Sequence, residues 1–163
     1  MAGVTDLAYR LLARECGADV TVTEFTAASG LTRRDTHSWL KVESDPREQP
    51  FIPQIFGGIT EEMVQTVELL QDRADVIDIN FGCPVKKVVK RNGGSGCLKD
   101  LDLVEALIRA VDDATTLPTT VKIRSGFNEQ SRDPVRIGLR CQDAGAKALC
   151  IHPRTRADMY SGK

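Results

Sequence analysis

Residues 76–98 read VIDINFGCPVKKVVKRNGGSGCL, and this stretch decides the fold. It begins with a short, β-branched, apolar run from Val76 to Ile79 that has the length and composition of a buried strand. The run ends at Asn80 and Cys83, and a long loop rich in lysine, arginine and glycine follows. A strand that carries an amide and a thiol to its carboxyl end, beside a basic loop, is typical of one wall of an active site.

The composition is that of a globular protein. The chain has 163 residues, 41% hydrophobic and 28% charged, which is enough for one domain with a core. No apolar run approaches the roughly 20 residues that cross a bilayer, and no basic-then-apolar leader marks export. We therefore expect a cytoplasmic protein that does not enter membranes. The formal net charge is -1, so any nucleic acid must bind a local basic patch.

The cysteines indicate neither a metal site nor disulfides. The chain has five cysteines and two histidines, and no two cysteines form a CxxC pair, so we predict no metal site. A chain without an export signal is also not expected to form disulfides. Cys16, Cys141 and Cys150 lie in apolar-periodic segments and are interpreted as core residues.

Helix and strand patterns alternate along the chain. Thr5 is predicted to cap a first helix that ends at Gly17. A weak helical region follows over residues 26–41. Three further helices are expected to begin at a capping or first-turn residue: at Thr60, at Asp100, and at Asp133-Pro134, the last running to Gly145. The predicted strands are Ala18–Thr23, Phe51–Phe56, Val76–Asn80, Thr119–Arg124 and Ala148–His152.

This alternation implies parallel strands joined by right-handed crossovers. Two architectures fit, a doubly wound sheet and a (β/α)8 barrel. Polar side chains at most strand ends favour the barrel, because its strand ends converge on one mouth, whereas a doubly wound sheet concentrates its site at one switch point. These side chains are Gln54, Asn80, Cys83, Lys122, Arg124, His152 and Arg154.

The predicted fold is therefore α/β, an incomplete TIM (β/α)8 barrel of about five parallel strands with intervening helices. Residues 1–163 form one partial barrel domain, because a whole barrel has about 250 residues and eight strands. A leading strand before Met1 and at least two strands after Lys163 are expected to be missing. Since an open parallel sheet exposes apolar faces and unpaired edges, we expect the isolated chain to be poorly stable or to aggregate.

Cys83 is the candidate catalytic residue. A free thiol has a pKa of about 8.5, so at neutral pH it can act as a general acid as well as a nucleophile. The alternative is a small buried residue at a tight turn. Cys97, the rival thiol, follows a glycine run and is expected to pack under the loop. That run lacks the Gly-Lys-Ser/Thr of a P-loop.

Cations and donors surround this thiol in the sequence. The loop after Cys83 carries five cations with no acid among them, which is either a solvated surface or a contact for a phosphate backbone. Lys122 lies on a barrel strand and needs a partner if buried, such as a flavin carbonyl or phosphate. His152 either donates a hydrogen bond to a ring ligand or closes a strand end. The loop cations are Lys86, Lys87, Lys90, Arg91 and Lys99.

The chain resembles the tRNA-dihydrouridine synthases along its whole length, and most closely their bacterial B-type branch. Asn-x-Gly-Cys-Pro followed by Val-Lys-Ile-Arg and His-x-Arg-Thr is a specific combination. The motifs that carry the resemblance are Met1-Ala-Gly-Val-Thr-Asp6, Thr23-Glu24, Pro53-Gln-Ile-Phe-Gly57, Asp78-Ile-Asn-Phe-Gly-Cys-Pro84 with Lys87 and Val88, Val121-Lys-Ile-Arg124 and Ile151-His-Pro-Arg-Thr155.

The resemblance implies an FMN enzyme that is reduced by NADPH and passes hydride to C6 of a tRNA uridine, while a cysteine protonates C5. By this resemblance Cys83 is the acid and Asn80 binds the uracil edge. Arg154 contacts flavin or substrate, and the target base must leave its stack. The implied FMN ligands are Met1, Gln54, Lys122 and His152. The implied contacts to RNA phosphates are Lys86, Lys87, Lys90 and Arg91.

The family pattern also extends beyond this chain. The last barrel strands, whose glycine-rich loops hold the FMN phosphate, and a C-terminal helical tRNA-binding domain are absent from it. The full-length form is expected to be a monomer. One alternative is a dihydroorotate or dihydropyrimidine dehydrogenase, which is also an FMN barrel with a cysteine near an Asn-x-x-Cys-Pro turn, although the basic loop favours RNA. The other alternative is an inactive remnant that only binds RNA.

Overall fold

Five parallel strands form one sheet in the order β1-β2-β3-β4-β5, in a computed structural model that describes residues 2–161. Helices connect successive strands, so the predicted α/β partial barrel is confirmed. The strands are β1 (Thr26–Ala27), β2 (Gln54–Phe56), β3 (Ile77–Phe81), β4 (Thr119–Arg124) and β5 (Ala148–His152). The α-helices are α1 (Leu7–Glu15), α2 (Ala28–Thr32), α3 (Thr36–Lys41), α4 (Thr60–Leu70), α5 (Lys86–Val89), α6 (Leu101–Asp113) and α7 (Pro134–Asp143). Two 3-10 helices cover Gly94–Lys99 and Glu129–Ser131.

The helix starts follow local capping chemistry. The carboxylates of Asp100 and Asp133 accept backbone N–H bonds from α6 and α7, as predicted. The predicted cap Thr5 is wrong, because the Asp6 carboxylate accepts the bond from the N–H of Tyr9 at 2.9 Å. Thr60 is the first residue of α4 and makes no capping bond, since Ile59 occupies the cap position.

The predicted first strand, Ala18–Thr23, is wrong, and the strand lies later, at Thr26–Ala27. The alternating pattern did identify an extended segment, and the N–H of Thr23 donates to the carbonyl of Ile52 at 3.1 Å. Other groups of the segment bond outside a strand ladder: the Thr23 hydroxyl accepts from the backbone N–H of Gln54 at 2.9 Å, the Thr21 hydroxyl donates to Glu48 at 3.0 Å, and the carbonyl of Ala18 accepts from the Arg14 side chain at 3.2 Å.

The two faces of the sheet differ because side chains alternate along each strand. One face is apolar and packs beneath the helices. The opposite face is polar, because the register pairs Gln54 with Asp78, Asp78 with Thr120, and Asn80 with Lys122. The buried apolar residues of the strands are Ile55, Ile77, Ile79, Phe81, Val121 and Ile123.

The sheet ends at β5, and this edge is open to solvent. Leu149 and Ile151 of β5 are 37% and 43% exposed, and Val135 and Leu139 of α7 are exposed beside them. Such a strip favours association, although poor stability of the isolated chain stays a prediction. None of the helices within residues 2–161 has the length and apolarity needed to cross a bilayer.

Two of the three cysteines interpreted as core residues are in fact exposed. Cys141 is on the buried face of α7, as predicted. Cys16 is exposed because it is the C-cap of α1, a helix whose only fully buried side chain is Arg10. Cys150 is exposed because the register with Lys122 places it on the polar face of the edge strand.

Candidate active site at the carboxyl ends of the strands

The turn after β3 holds Cys83 from both sides. The amide oxygen of Asn80 accepts the backbone N–H groups of Gly82 at 3.0 Å and Cys83 at 2.8 Å. The carbonyl of Cys83 accepts the hydroxyl of Ser95 at 2.7 Å and its N–H at 3.1 Å. The peptide groups on either side of the thiol-bearing carbon are therefore fixed.

The Cys83 thiol favours its protonated form. It is 5% exposed, and burial raises its pKa above the ordinary value. A backbone hydrogen bond at Val85 and the positive charge of Arg124 act in the opposite sense. A thiol that stays protonated at neutral pH and lies at the carboxyl end of a barrel strand has the properties of a general acid.

The glycine run after the basic segment makes this arrangement possible. Gly94 has a φ of +53°, and a Cβ at this position would lie 2.9 Å from the Cβ of Cys83. A side chain here would therefore displace the turn that carries the thiol.

Arg124 is a site residue to which we assigned no role from the sequence. Its Nε donates to the carbonyl of Gly82 at 2.8 Å, and its Nη1 donates to the carbonyls of Thr155 at 2.9 Å and Met159 at 3.2 Å. The side chain is buried, and desolvation lowers its pKa. Arg124 thus ties the Cys83 turn to the loop after β5, a cross-link that its place in the Val-Lys-Ile-Arg motif did not reveal.

Gln54 and Asn80 lie together on the polar face, joined by a hydrogen bond of 2.9 Å from Asn80 Nδ2 to Gln54 Oε1. Gln54 Nε2 in turn donates to Asp78 at 2.6 Å, and the hydroxyl of Thr120 donates to the other Asp78 oxygen at 2.6 Å. Asp78 and Thr120 were not predicted as site residues. The strand register that brings them beside Gln54 is the signal that identifies them.

Lys122 and His152 supply donors on the same side of the sheet. Lys122 is half-buried, and it lies close enough to Asp78 and His152 for its positive charge to act on both groups. In each case this charge acts to lower the pKa. His152 Nδ1 accepts the N–H of Arg154 at 3.1 Å, which places its proton on Nε2. Burial, followed by the charges of Arg124 and Lys122, lowers the pKa of His152, so its neutral ring is a hydrogen-bond donor through Nε2.

Of the two remaining predicted ligands, the structure describes only Arg154, which lies in the loop after β5. Arg154 is half-buried, and its Nε donates to the carbonyl of Ser161 at 3.0 Å. Met1 lies outside the described residues. The residues after it are tied down, because the N–H groups of Gly3 and Val4 both donate to Glu24 Oε1.

The basic segment is not the long loop predicted. Its cations Lys86 and Lys87 lie on α5, and Lys90 and Arg91 follow directly; all four are exposed. Val89 anchors the helix by burying its side chain. Cys97 packs beneath, as predicted: its thiol donates to the carbonyl of Asn92 at 2.8 Å, and burial raises its pKa to about 12.

A basic groove of about 710 Å³ runs beside this helix, between α2 and the loop after β2. We call it the basic groove. Gly58 lies at its floor, where a Cβ would come within 2.5 Å of the carbonyl oxygen of Asn92. The side chains that line it include four cations, one acid and one aromatic ring: Arg33, Lys87, Lys90, Arg91, Glu62 and Phe56.

The sequence model of the family described as dihydrouridine synthase matches residues 1–163. The chain belongs to the dihydrouridine synthase family. It is similar to the tRNA-dihydrouridine synthase B of Pseudomonas aeruginosa, with 39% identity over all of this chain and 49% of that protein. The synthase B of Klebsiella pneumoniae is 36% identical over 99% of this chain and 51% of its own length.

A relative from Synechocystis, described as probable tRNA-dihydrouridine synthase 1, is 36% identical over all of this chain and 46% of its own length. The chain spans about half the length of the curated relatives that it matches. The resemblance to the B-type family that was drawn from motifs is therefore confirmed.

Proposed function

We propose that the protein to which this chain belongs reduces uridine in tRNA to 5,6-dihydrouridine, with FMN as its cofactor and NADPH as its reductant. The observation that carries the proposal is the buried, protonated Cys83 thiol, fixed by Asn80, Ser95 and Arg124 at the carboxyl end of β3. Relatives named tRNA-dihydrouridine synthase support the same activity.

The polar face suits a flavin ring. Lys122, the Nε2–H of His152 and a remaining N–H of Gln54 are donors, and the carbonyl oxygens and ring nitrogens of an isoalloxazine are acceptors. We propose that these three residues hold the ring, with Met1 as a further contact. When bound, FMN supplies the hydride that the uracil ring accepts at C6.

Cys83 supplies the proton. Hydride addition at C6 leaves negative charge that a proton must neutralise at C5, and Cys83 donates that proton from sulfur. The thiol becomes a thiolate in this step, and the nearby guanidinium of Arg124 stabilises the new charge. Asn80 binds the edge of the uracil ring, and Arg154 at the rim contacts the flavin or the substrate.

The basic groove accounts for the choice of RNA over a free pyrimidine. Phosphate groups bind exposed cations, and the groove is lined by Lys87, Lys90 and Arg91 of the segment that follows Cys83 in the chain. A dehydrogenase for small dihydropyrimidines needs no such surface. We propose that the groove cations and Lys86 hold the RNA backbone while the target base enters the mouth.

Cofactor binding and substrate choice test this proposal separately. Titrating the full-length protein with FMN should quench flavin fluorescence, and Lys122→Met should weaken the complex at least tenfold. With NADPH, the holoprotein should form dihydrouridine in unmodified tRNA and leave free uridine and dihydroorotate unchanged. A protein that binds no flavin, or that acts on the free pyrimidine and not on tRNA, would refute the proposal.

A further inference from the structure

The buried polar groups on the inner face of the sheet form one continuous chain of hydrogen bonds. It runs from the hydroxyl of Thr120 through Asp78, Gln54 and Asn80 to the backbone N–H of Cys83, over distances of 2.6, 2.6, 2.9 and 2.8 Å. Asp78, Gln54 and Asn80 are each less than a tenth exposed. Water therefore does not replace these bonds cheaply.

The donor and acceptor order along this series of hydrogen bonds follows from the end at which Asn80 meets the backbone of Gly82 and Cys83. The N–H groups of Gly82 and Cys83 only donate, so the atom of Asn80 that faces them must be its oxygen. The nitrogen of Asn80 then faces Gln54, and since it only donates, it must meet the oxygen of Gln54. The nitrogen of Gln54 is left for Asp78, which accepts it.

We propose that Asp78 is a positioning residue: it accepts from the nitrogen of Gln54 and so holds Gln54 in the one orientation that lets its oxygen accept from Asn80, whose own orientation the backbone N–H groups set. Both acceptor directions of the Asn80 oxygen are occupied by backbone N–H groups. Asn80 therefore offers a ligand one N–H donor and no acceptor, and it selects a carbonyl oxygen on the ring it meets. That this ring is a uracil rests on the proposed function.

Exchanging the aspartate at position 78 with the asparagine at position 80 reverses the direction of the hydrogen bonds through Gln54 and keeps the amino-acid composition. In Asn80→Asp alone, the new carboxylate keeps the two backbone N–H bonds and turns Gln54 around. The oxygen of Gln54 then meets the carboxylate of Asp78, which leaves two buried carboxylates and one repulsive contact. In the double variant Asp78→Asn with Asn80→Asp, every group regains a partner, because the new amide at position 78 donates to Gln54 and accepts from Thr120.

The experiment measures melting temperature for the full-length protein and the three variants, without added flavin or RNA. We expect Asp78→Asn to lower it slightly and Asn80→Asp to lower it strongly. The double variant should melt roughly 5 °C above Asn80→Asp, because the two positions are coupled. Asn128→Asp is the matched control, because the side-chain oxygen of Asn128 also accepts a backbone N–H, that of Ser131 at 3.0 Å, but at the surface. This variant should change the melting temperature little.

The second measurement is dihydrouridine formation by the same set of proteins. The double variant folds but presents acceptors where the wild type presents a donor, so kcat/KM should fall by about 100-fold or more. Additive melting temperatures would overturn the proposed polarity, and wild-type turnover by the double variant would overturn the donor role of Asn80. If the wild type does not act on uridine in tRNA, the proposed function fails. The melting temperatures of the wild type, the two single variants and the double variant still test the role of Asp78 in that case.

Discussion

The side-chain oxygen of Asn80 accepts the backbone N–H of Cys83 at 2.8 Å, so the residue proposed to bind the base also builds the turn that carries the proposed proton donor. Asn80→Ala should leave the buried N–H of Cys83 and the partly buried N–H of Gly82 unpaired and cost about 1–3 kcal/mol of unfolding free energy. The looser turn should also expose the thiol. Urea unfolding and mass-mapped alkylation of Cys83 measure the two effects, and Asn128→Ala controls for loss of a half-buried asparagine at a helix cap away from the site.

Arg124 should set how the reactivity of Cys83 depends on pH. Alkylation requires the thiolate, and burial raises the pKa of Cys83, so the rate should stay low at neutral pH and rise above the pH at which a free thiol reacts. The cation opposes that rise, so in Arg124→Met the pKa should move further up and the rate at pH 8 should fall several-fold. Arg124→Lys should restore part of the rate.

The Arg124 experiment needs a control for the surrounding loop. Arg132 is also held by the loop after β5, through the carbonyl of Pro153 at 3.3 Å and Asp158 at 2.9 Å, but it is more exposed. Arg132→Met should leave the alkylation profile of Cys83 in place. An equal shift in both variants would mean that loop disorder, rather than the Arg124 charge, controls the thiol.

Gly94→Ala should disrupt the site through its backbone. The residue has a φ of +53°, and its new Cβ would lie 2.9 Å from that of Cys83. We expect a loss of about 1–3 kcal/mol in unfolding free energy and a larger proportional loss of turnover. Gly17→Ala has a φ of +97° but no atom within 4 Å, so it should cost stability and leave turnover of the folded protein unchanged.

Charge reversal in the basic groove should weaken RNA binding in a salt-dependent way. Lys87→Glu with Lys90→Glu should raise the Kd for tRNA, and the slope of log Kd against log salt should flatten by about one for each phosphate that is no longer bound. Arg33→Glu should act similarly, because Arg33 lines the same groove. Arg109→Glu, at an exposed position on α6, is the control, and equal weakening by it would argue for non-specific attraction.

Periodicity and turn chemistry made much of the fold predictable. The bounds of β4 and β5 and the caps Asp100 and Asp133 agree with the sequence prediction, because each depends on local pattern. The first strand was misplaced because alternation in residues 18–23 reflects an extended segment whose hydroxyls and carbonyls make hydrogen bonds outside a strand ladder. Whether backbone pairs with backbone is decided by tertiary structure.

The candidate site was only partly predictable from the pattern of polar residues on and after the strands. Asn80 and His152 lie at or next to the ends of β3 and β5, Gln54 begins β2, and Lys122 lies within β4, and the register places these four residues on one side of the sheet. Cys83 follows in the turn after β3. Asp78 and Arg124 were assigned no role because their contacts lie 24 to 42 positions away in the chain, across strands or loops. The cytoplasmic location and the monomeric state stay predictions.

Cys83→Ala tests the central claim most directly. The full-length variant, loaded with FMN, reduced and mixed with unmodified tRNA, should bind flavin and tRNA as the wild type does. Its single-turnover rate of dihydrouridine formation should fall by about 100-fold or more, since general acid catalysis contributes factors of that size. Cys16→Ala, which removes an exposed thiol at the end of α1, should keep the wild-type rate. A wild-type rate in Cys83→Ala would contradict the assignment of Cys83 as the proton donor.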